Sequence, residues 1–173
     1  MRELRRAVIA ALALTLVLGL AYPLALTGAA QLVLPHRADG QASLIGRDYS
    51  KDLSLFQSRP SVTGYAPDAT FFDNQGPNQK ALAAQLRGYV RAYLQRERPY
   101  TPGLRAQDIP SDAVTTSASG VDPDISVANA RIQAHRVAAR RHLPLARVLA
   151  LIDAHRSAFG SFVNVNELNQ ALR

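Results

Sequence analysis

Hydrophobic spacing follows one rule over the first 36 residues and another beyond them. From Ala7 to His36 there is no Asp, Glu, Lys or Arg, and Ala7 to Leu26 is almost wholly Ala, Leu, Val and Ile. A helix that is apolar all round has no face to give to water. Twenty such residues, at about 1.5 Å each, span roughly 30 Å, the thickness of a bilayer core. Residues 7–28 are therefore predicted as one transmembrane helix, with 1–6 ahead of it and 29–42 as an exit segment. Pro23 lacks an N–H and is expected to kink or end this helix near its outer end.

Past residue 42 the pattern becomes that of a water-facing domain, 43–173. Gln41 to Gly76 is rich in Ser, Pro, Gly and Asp, with apolar pairs such as Leu44-Ile45 and Phe71-Phe72 but no long period. It is predicted as irregular chain that packs through its aromatics. Ala81 to Gln95 carries Leu82, Leu86, Tyr89, Val90, Tyr93 and Leu94 at helical spacing, with Arg87, Arg91 and Arg98 on the other side and Pro99 as the stop. Ala113 to Thr116 fits a short strand. Ser126 is a good N-cap for a helix to about His142. Pro144 suits the first turn of the next helix, with Leu145, Val148, Leu149 and Ile152 on one face. Gly160 breaks that segment, Val163-Asn164-Val165 fits a short strand or a cap, and Glu167 to Leu172 a last helical turn or two. The predicted class is α+β: a single N-terminal transmembrane helix, then one loop-rich domain with three to four helices and a few short strands.

Charge orients the anchor. Arg2, Arg5 and Arg6 precede the apolar run against Glu3 alone, and the positive-inside rule puts this end in the cytoplasm. The C-terminal domain is then expected on the outer side of the membrane. A cleaved signal peptide is the competing reading, with Met1 to Arg6 as its n-region and Gly28, Ala29 and Ala30 as a loose cleavage site. The uncharged stretch is long for an h-region, which favours the anchor. Within it Ala10, Ala11, Ala13 and Gly19, with Pro23, are candidates for close packing against partner helices.

Composition narrows the chemistry. The chain has no cysteine, which excludes disulfides, thiolate metal sites and a Cys nucleophile. The net charge is +7, but 18 of the 20 basic residues are Arg, a bias that speaks of genome composition as much as of nucleic acid. Arg131, Arg136, Arg140, Arg141, His142 and Arg147 fall in a stretch without acidic residues. No aromatics or binding module accompany them, so a solvated basic face is expected, with lipid phosphates or an acidic partner surface as the alternative and nucleic acid excluded. His135 and His142 stand seven apart with no carboxylate to complete a metal site. G-x-S-x-G and Walker A patterns are absent, and no catalytic constellation emerges. One polar segment stands out. Thr115, Thr116, Ser117 and Ser119 bring hydroxyls together, Gly120 permits unusual backbone angles, and Asp122-Pro123-Asp124 leads into a helix whose free N–H groups suit an anion. A capped turn without a ligand explains the same residues.

Residues along nearly the whole chain resemble one family. Tyr22-Pro23-Leu24, Thr27-Gly28, Ala30-Gln31, Leu34-Pro35, Gly40 and Ser43-Leu44-Ile45-Gly46 come first, then Phe56 and Arg59-Pro60-Ser61. Val114 to Pro123, Ile125-Ser126, Gln133, Arg136-Val137-Ala138 and Ala139-Arg140 follow, and Val163 to Asn169 with Ala171-Leu172 close the series. In order, they resemble the C subunit of the bacterial Kdp potassium-transporting P-type ATPase. The chain departs from the family in keeping only Asn74 to Asn78 of a Gly/Ser-rich loop, in shortening Ser157 to Phe162, and in placing Asn166 and Gln170 where the family favours Leu.

The resemblance implies a non-catalytic subunit of an ATP-driven potassium importer. Its partners would be a channel-like potassium-binding subunit, a P-type ATPase subunit and a small single-helix subunit, in contact with membrane lipid. ATP and potassium would be handled by the complex, and this subunit would serve assembly and act as a catalytic chaperone for ATP binding. Thr115, Ser117, Ser119, Gly120, Asp122 and Gln133 become the implied docking or nucleotide site. The charge pattern puts those residues outside, so an effect on ATP is expected to be indirect. An anchored or secreted envelope binding module, unrelated to transport, is the alternative function.

Overall fold

The computed structural model describes residues 1–33, 43–69, 75–76, 78–158 and 160–172. The expected exit turn at Leu34–Gly40 and the Phe71-Phe72 pair lie outside them. The chain divides into two compact units, Met1–Gln41 and Ala42–Arg173.

The first unit is helical from Arg2 to Val33, 32 residues, long and apolar enough to cross a membrane. Helix α1 (Arg2–Leu16) passes into a π-helical turn at Val17–Ala21 and then α2 (Tyr22–Val33). Pro23 thus neither ends the helix nor leaves it regular. Its ring would crowd the carbonyl four residues back, at Gly19, and it has no N–H to give. The chain widens by one residue ahead of it, so that the Tyr22 N–H reaches the Val17 carbonyl, the usual form of a π-bulge. The hydroxyls of Thr15 and Thr27 fold back on the carbonyls of Ala11 and Pro23, both at 2.8 Å. Each hydroxyl thereby takes a partner inside its own helix, which apolar surroundings demand.

Among the described residues the second unit holds four α-helices and one two-stranded sheet. Helix α3 (Lys80–Glu97) runs two residues beyond the periodic pattern. Strand β1 (Asp124–Ser126) leads directly into α4 (Val127–Arg141), where the Ser126 hydroxyl accepts the Asn129 N–H at 3.0 Å as the expected cap. His142 ends α4 in the left-handed region, φ 55°. Pro144 stands at the N-cap of α5 (Leu145–Ala154), one place ahead of the first turn. Strand β2 (Phe162–Asn164) pairs antiparallel with β1, Ile125 opposite Val163. Asn164 then caps α6 (Val165–Ala171) by accepting the N–H groups of Asn166 and Glu167. The strand expected at Ala113–Thr116 does not form. Ser111–Ala113 makes a 3₁₀ turn instead, because Asp112 and Ser111 are spent on turn and cap contacts rather than on a ladder.

The core lies between α4, α5, α6 and the sheet. Ile125, Ala134, Val137, Val148, Ile152, Val163 and Leu168 are fully or almost fully buried there. Phe56, from the irregular segment, joins them with no exposure, as expected of a chain that packs through its aromatics. Three asparagines of the last motif fix that segment's backbone. Asn169 closes both hydrogen bonds with the Phe56 backbone, at 2.8 and 3.0 Å. Asn164 and Asn166 donate to the Ser43 carbonyl, and Asn166 to that of Ile45. Buried backbone groups need such partners when no ladder supplies them.

Candidate functional site

The Ser117–Asp124 segment is positioned from below by the loop Arg59–Tyr65. The Arg59 guanidinium pairs with the Asp122 carboxylate at 2.8 Å and reaches the Thr115 hydroxyl and the Thr116 carbonyl at 3.4 and 3.3 Å. The Ser61 hydroxyl donates to the Gly120 carbonyl at 2.6 Å. Ser117 is 9% exposed, and its hydroxyl oxygen accepts the Gly120 N–H at 3.1 Å. Gly120 itself has φ +73°, and a Cβ there would stand 2.5 Å from the Thr63 hydroxyl oxygen. Only glycine fits both the angle and the contact. Ser119 is exposed and accepts the Val121 N–H at 3.2 Å. Thr115 also donates back to the Ser111 carbonyl at 2.8 Å.

The structure therefore gathers Thr115, Ser117, Gly120 and Asp122 around Arg59, Ser61 and Thr63. Most of their polar groups face one another. The positive end of α4 is also occupied. Asp112 places one carboxylate oxygen 2.9 Å from both the Ser126 N–H and the Asn129 amide. A carboxylate already sits where an incoming phosphate would gain most from the helix dipole. Asp124, at the start of β1, has its pKa raised by burial and by the charges of Asp122 and Glu167, with an Asn164 hydrogen bond opposing.

Gln133 lies elsewhere, 1% exposed in the interior. Its carbonyl oxygen accepts the Gln57 N–H at 2.7 Å and an Arg136 N–H at 2.9 Å. Its amide donates to the Gln57 carbonyl and to Asn129. Next to it Arg136 and Glu97, both with no exposure, form a buried pair with Nε 3.1 Å from each carboxylate oxygen. Arg136 also donates to the carbonyls of Leu53 and Leu55. Burial pushes the Arg136 pKa down while Glu97 pushes it back up. Sequence reasoning missed this network, because an Arg on a basic stretch looks solvated until its partner forty residues away is known. The other basic residues of that stretch are exposed or half-buried, as a solvated basic face requires. Arg131 pairs with Asp153, Arg140 donates to the Tyr100 hydroxyl, and Arg141 to the Leu172 carbonyl.

In the anchor, Ala11 and Gly19 fall near one line with Thr15, at four-residue spacing. Ala10 and Ala13 fall off that line, at about 100° of rotation per residue. A Cβ on Gly19 would meet nothing nearer than Thr15 at 4.0 Å, so that line has open space. Among the described residues no group of three or more His, Asp or Glu side chains is placed to hold a metal ion.

Among the described residues, one helix long and apolar enough to cross a membrane, followed by a small α+β domain, defines the class: a protein with a single candidate membrane span and one compact C-terminal domain. Comparison with known proteins carries the identification further. The family model described as K+-transporting ATPase, c chain (KdpC) matches residues 4–173. A potassium-transporting ATPase KdpC subunit from Caulobacter vibrioides is 42% identical, over 98% of this chain and 92% of its own length. Proteins of the same name from Rhodopseudomonas palustris and Polaromonas naphthalenivorans are 38% and 43% identical, over 99% and 86% of this chain and 96% and 80% of their own. The chain belongs to the KdpC family, the c chains of potassium-transporting ATPases.

Proposed function

We propose that the chain is a non-catalytic subunit of a potassium-importing ATPase complex, anchored by Arg2–Val33 with its N-terminus in the cytoplasm and its C-terminal domain in the periplasm. It assembles with a channel-like potassium-binding subunit, a P-type ATPase subunit and a small single-helix subunit, and stabilises their working arrangement. Its effect on ATP binding, the catalytic chaperone role, is indirect: favouring one arrangement of the membrane subunits raises nucleotide affinity elsewhere by linkage.

The closed state of the Ser117–Gly120 loop is the observation that supports this most. A phosphate cradle presents free N–H groups and hydroxyls. Here the Gly120 N–H goes to Ser117, the Val121 N–H to Ser119, and the helix end to Asp112. The loop fits a clasp that fixes the domain's surface for docking. Orientation rests on Arg2, Arg5 and Arg6 ahead of the apolar run. The test is a pair of reporters fused after Arg173, one active only outside the cytoplasm and one only inside. Activity of the outer reporter is expected. Activity of the inner one alone overturns the orientation and, with it, the reason for placing ATP at a distance.

A further inference from the structure

The C-terminal domain contains a cleft of about 300 Å³, a size suited to a small ligand, that shares the Arg59–Tyr65 loop with the Ser117–Asp124 segment but is lined by no residue of that segment. Tyr49, Tyr65, Tyr89 and Tyr93 line it, four of the chain's six tyrosines, together with Arg96 and Asp48. Two features separate it from a surface crevice. Arg96 is built in. Its Nε donates to the buried carboxylate of Glu97 at 2.8 Å and its guanidinium lies 5.2 Å from the centre of the Tyr93 ring. Among the described residues its two terminal nitrogens have no partner. Glu97 is shared with the fully buried Arg136, so one carboxylate faces two guanidinium groups and a positive charge is left over at the cleft. A fork held flat with its outer N–H groups free is the arrangement that takes a carboxylate in two parallel hydrogen bonds.

Asp48 lines the same cleft, and no ion pair joins it to Arg96. Its carboxyl is held below the usual range by hydrogen bonds from the Ser50 side chain and backbone. Tyr65 lines the same cleft at φ 64° in the left-handed region, a conformation a bulky side chain adopts only when the surroundings impose it. Opposite charges that line one aromatic cleft without meeting leave room for a ligand that carries both. Tyr93 is 2% exposed and its ring carries Arg96, so the half-buried Tyr49, Tyr65 and Tyr89 are the rings left to attract an alkylated ammonium.

We propose that this cleft binds a small organic zwitterion, its carboxylate on Arg96 and its ammonium against the tyrosine faces and Asp48. The chain has no tryptophan, so the emission of the full-length protein in detergent comes from its six tyrosines, four of which line the cleft. The probe is trimethylglycine, with acetate and tetramethylammonium as its two halves. A saturable change in tyrosine emission is expected with trimethylglycine, and affinities at least about tenfold weaker for each half. Arg96→Gln and Tyr89→Leu should each weaken trimethylglycine at least about tenfold, with the circular dichroism of the parent, since Glu97 keeps Arg136. The proposal is overturned if trimethylglycine gives no saturable change up to roughly 100 mM, far above a millimolar Kd. It is equally overturned if both folded variants bind like the parent, or if acetate alone binds as tightly as trimethylglycine.

Discussion

Removing one partner of the Arg136–Glu97 pair should cost a large part of the C-terminal domain's stability, and the two removals should not cost the same. Both side chains have no exposure. Breaking such a pair leaves a buried charge and costs about 3–5 kcal/mol. Arg136→Met leaves Glu97 with the Arg96 contact at 2.8 Å. The Gln133 oxygen keeps the Gln57 N–H, and the Leu55 carbonyl keeps the Gln57 amide at 3.0 Å. Its cost should fall near the low end, about 3 kcal/mol. Glu97→Gln leaves Arg136 charged among neutral carbonyls, and its cost should approach about 5 kcal/mol. A domain of this size loses roughly 3–5 °C in Tm per kcal/mol, so the shifts are on the order of 10 °C and 20 °C. The double variant should cost less than the sum, by up to about 3 kcal/mol of coupling. Loss of the near-ultraviolet tyrosine signal on heating the full-length chain in detergent follows the packed domain rather than the apolar helix. An Arg136→Met chain that melts within about 2 °C of the parent, or a Glu97→Gln chain more stable than Arg136→Met, refutes the reasoning.

Three other perturbations have defined outcomes. Gly120→Ala puts a Cβ 2.5 Å from the Thr63 hydroxyl at φ +73° and should cost about 1–3 kcal/mol in denaturant titration; adding Thr63→Ala, which removes the clash but not the angle, should restore part of it. Asp124 carries a raised pKa, so its ionised form is the penalised one in the folded chain, and that penalty fades as pH falls through the raised pKa toward the ordinary 3.8. Asp124→Asn should therefore be more stable than the parent at pH 7, with the gain vanishing in acid; equal stability at neutral pH counts against it. Gly19→Leu fills the open line beside Thr15 and should reduce co-purification with the membrane subunits while the Tm of the C-terminal domain stays unchanged; full recovery of the complex removes that face from the packing account.

Periodicity made the helices legible. The α3 pattern from Leu82 to Leu94, the Ser126 cap and the Leu145–Ile152 face all depend on neighbours a few residues away. So did the apolar run, because length and lack of charge suffice to read it. What escaped depends on partners distant in the chain. Pro23 is a local exception: it was expected to kink or end the helix, and the helix continues past it through a π-turn. The polar loop was visible through Ser117, Ser119 and Gly120, but its inward closure depends on Ser61 and Thr63 almost sixty residues earlier. Asn166 read as a departure from an apolar position. In the fold it is buried and holds Ser43, Ile45 and Tyr49, contacts that no local pattern announces. Gln133 looked like a site residue because it belongs to a recognisable motif, and the structure gives it four internal hydrogen bonds.

The central claim is that the loop around Ser117 and Gly120 is a clasp and that ATP is handled elsewhere in the complex. Equilibrium dialysis of labelled ATP against the full-length chain in detergent tests it, run beside the Ser117→Ala/Ser119→Ala variant and the intact complex carrying either chain. The account expects no saturable binding by the isolated chain, saturable binding by the complex, and at most a modest change in that affinity when the two hydroxyls are removed. Saturable ATP binding by the isolated chain that is lost in the double variant would contradict it and make the loop a nucleotide site.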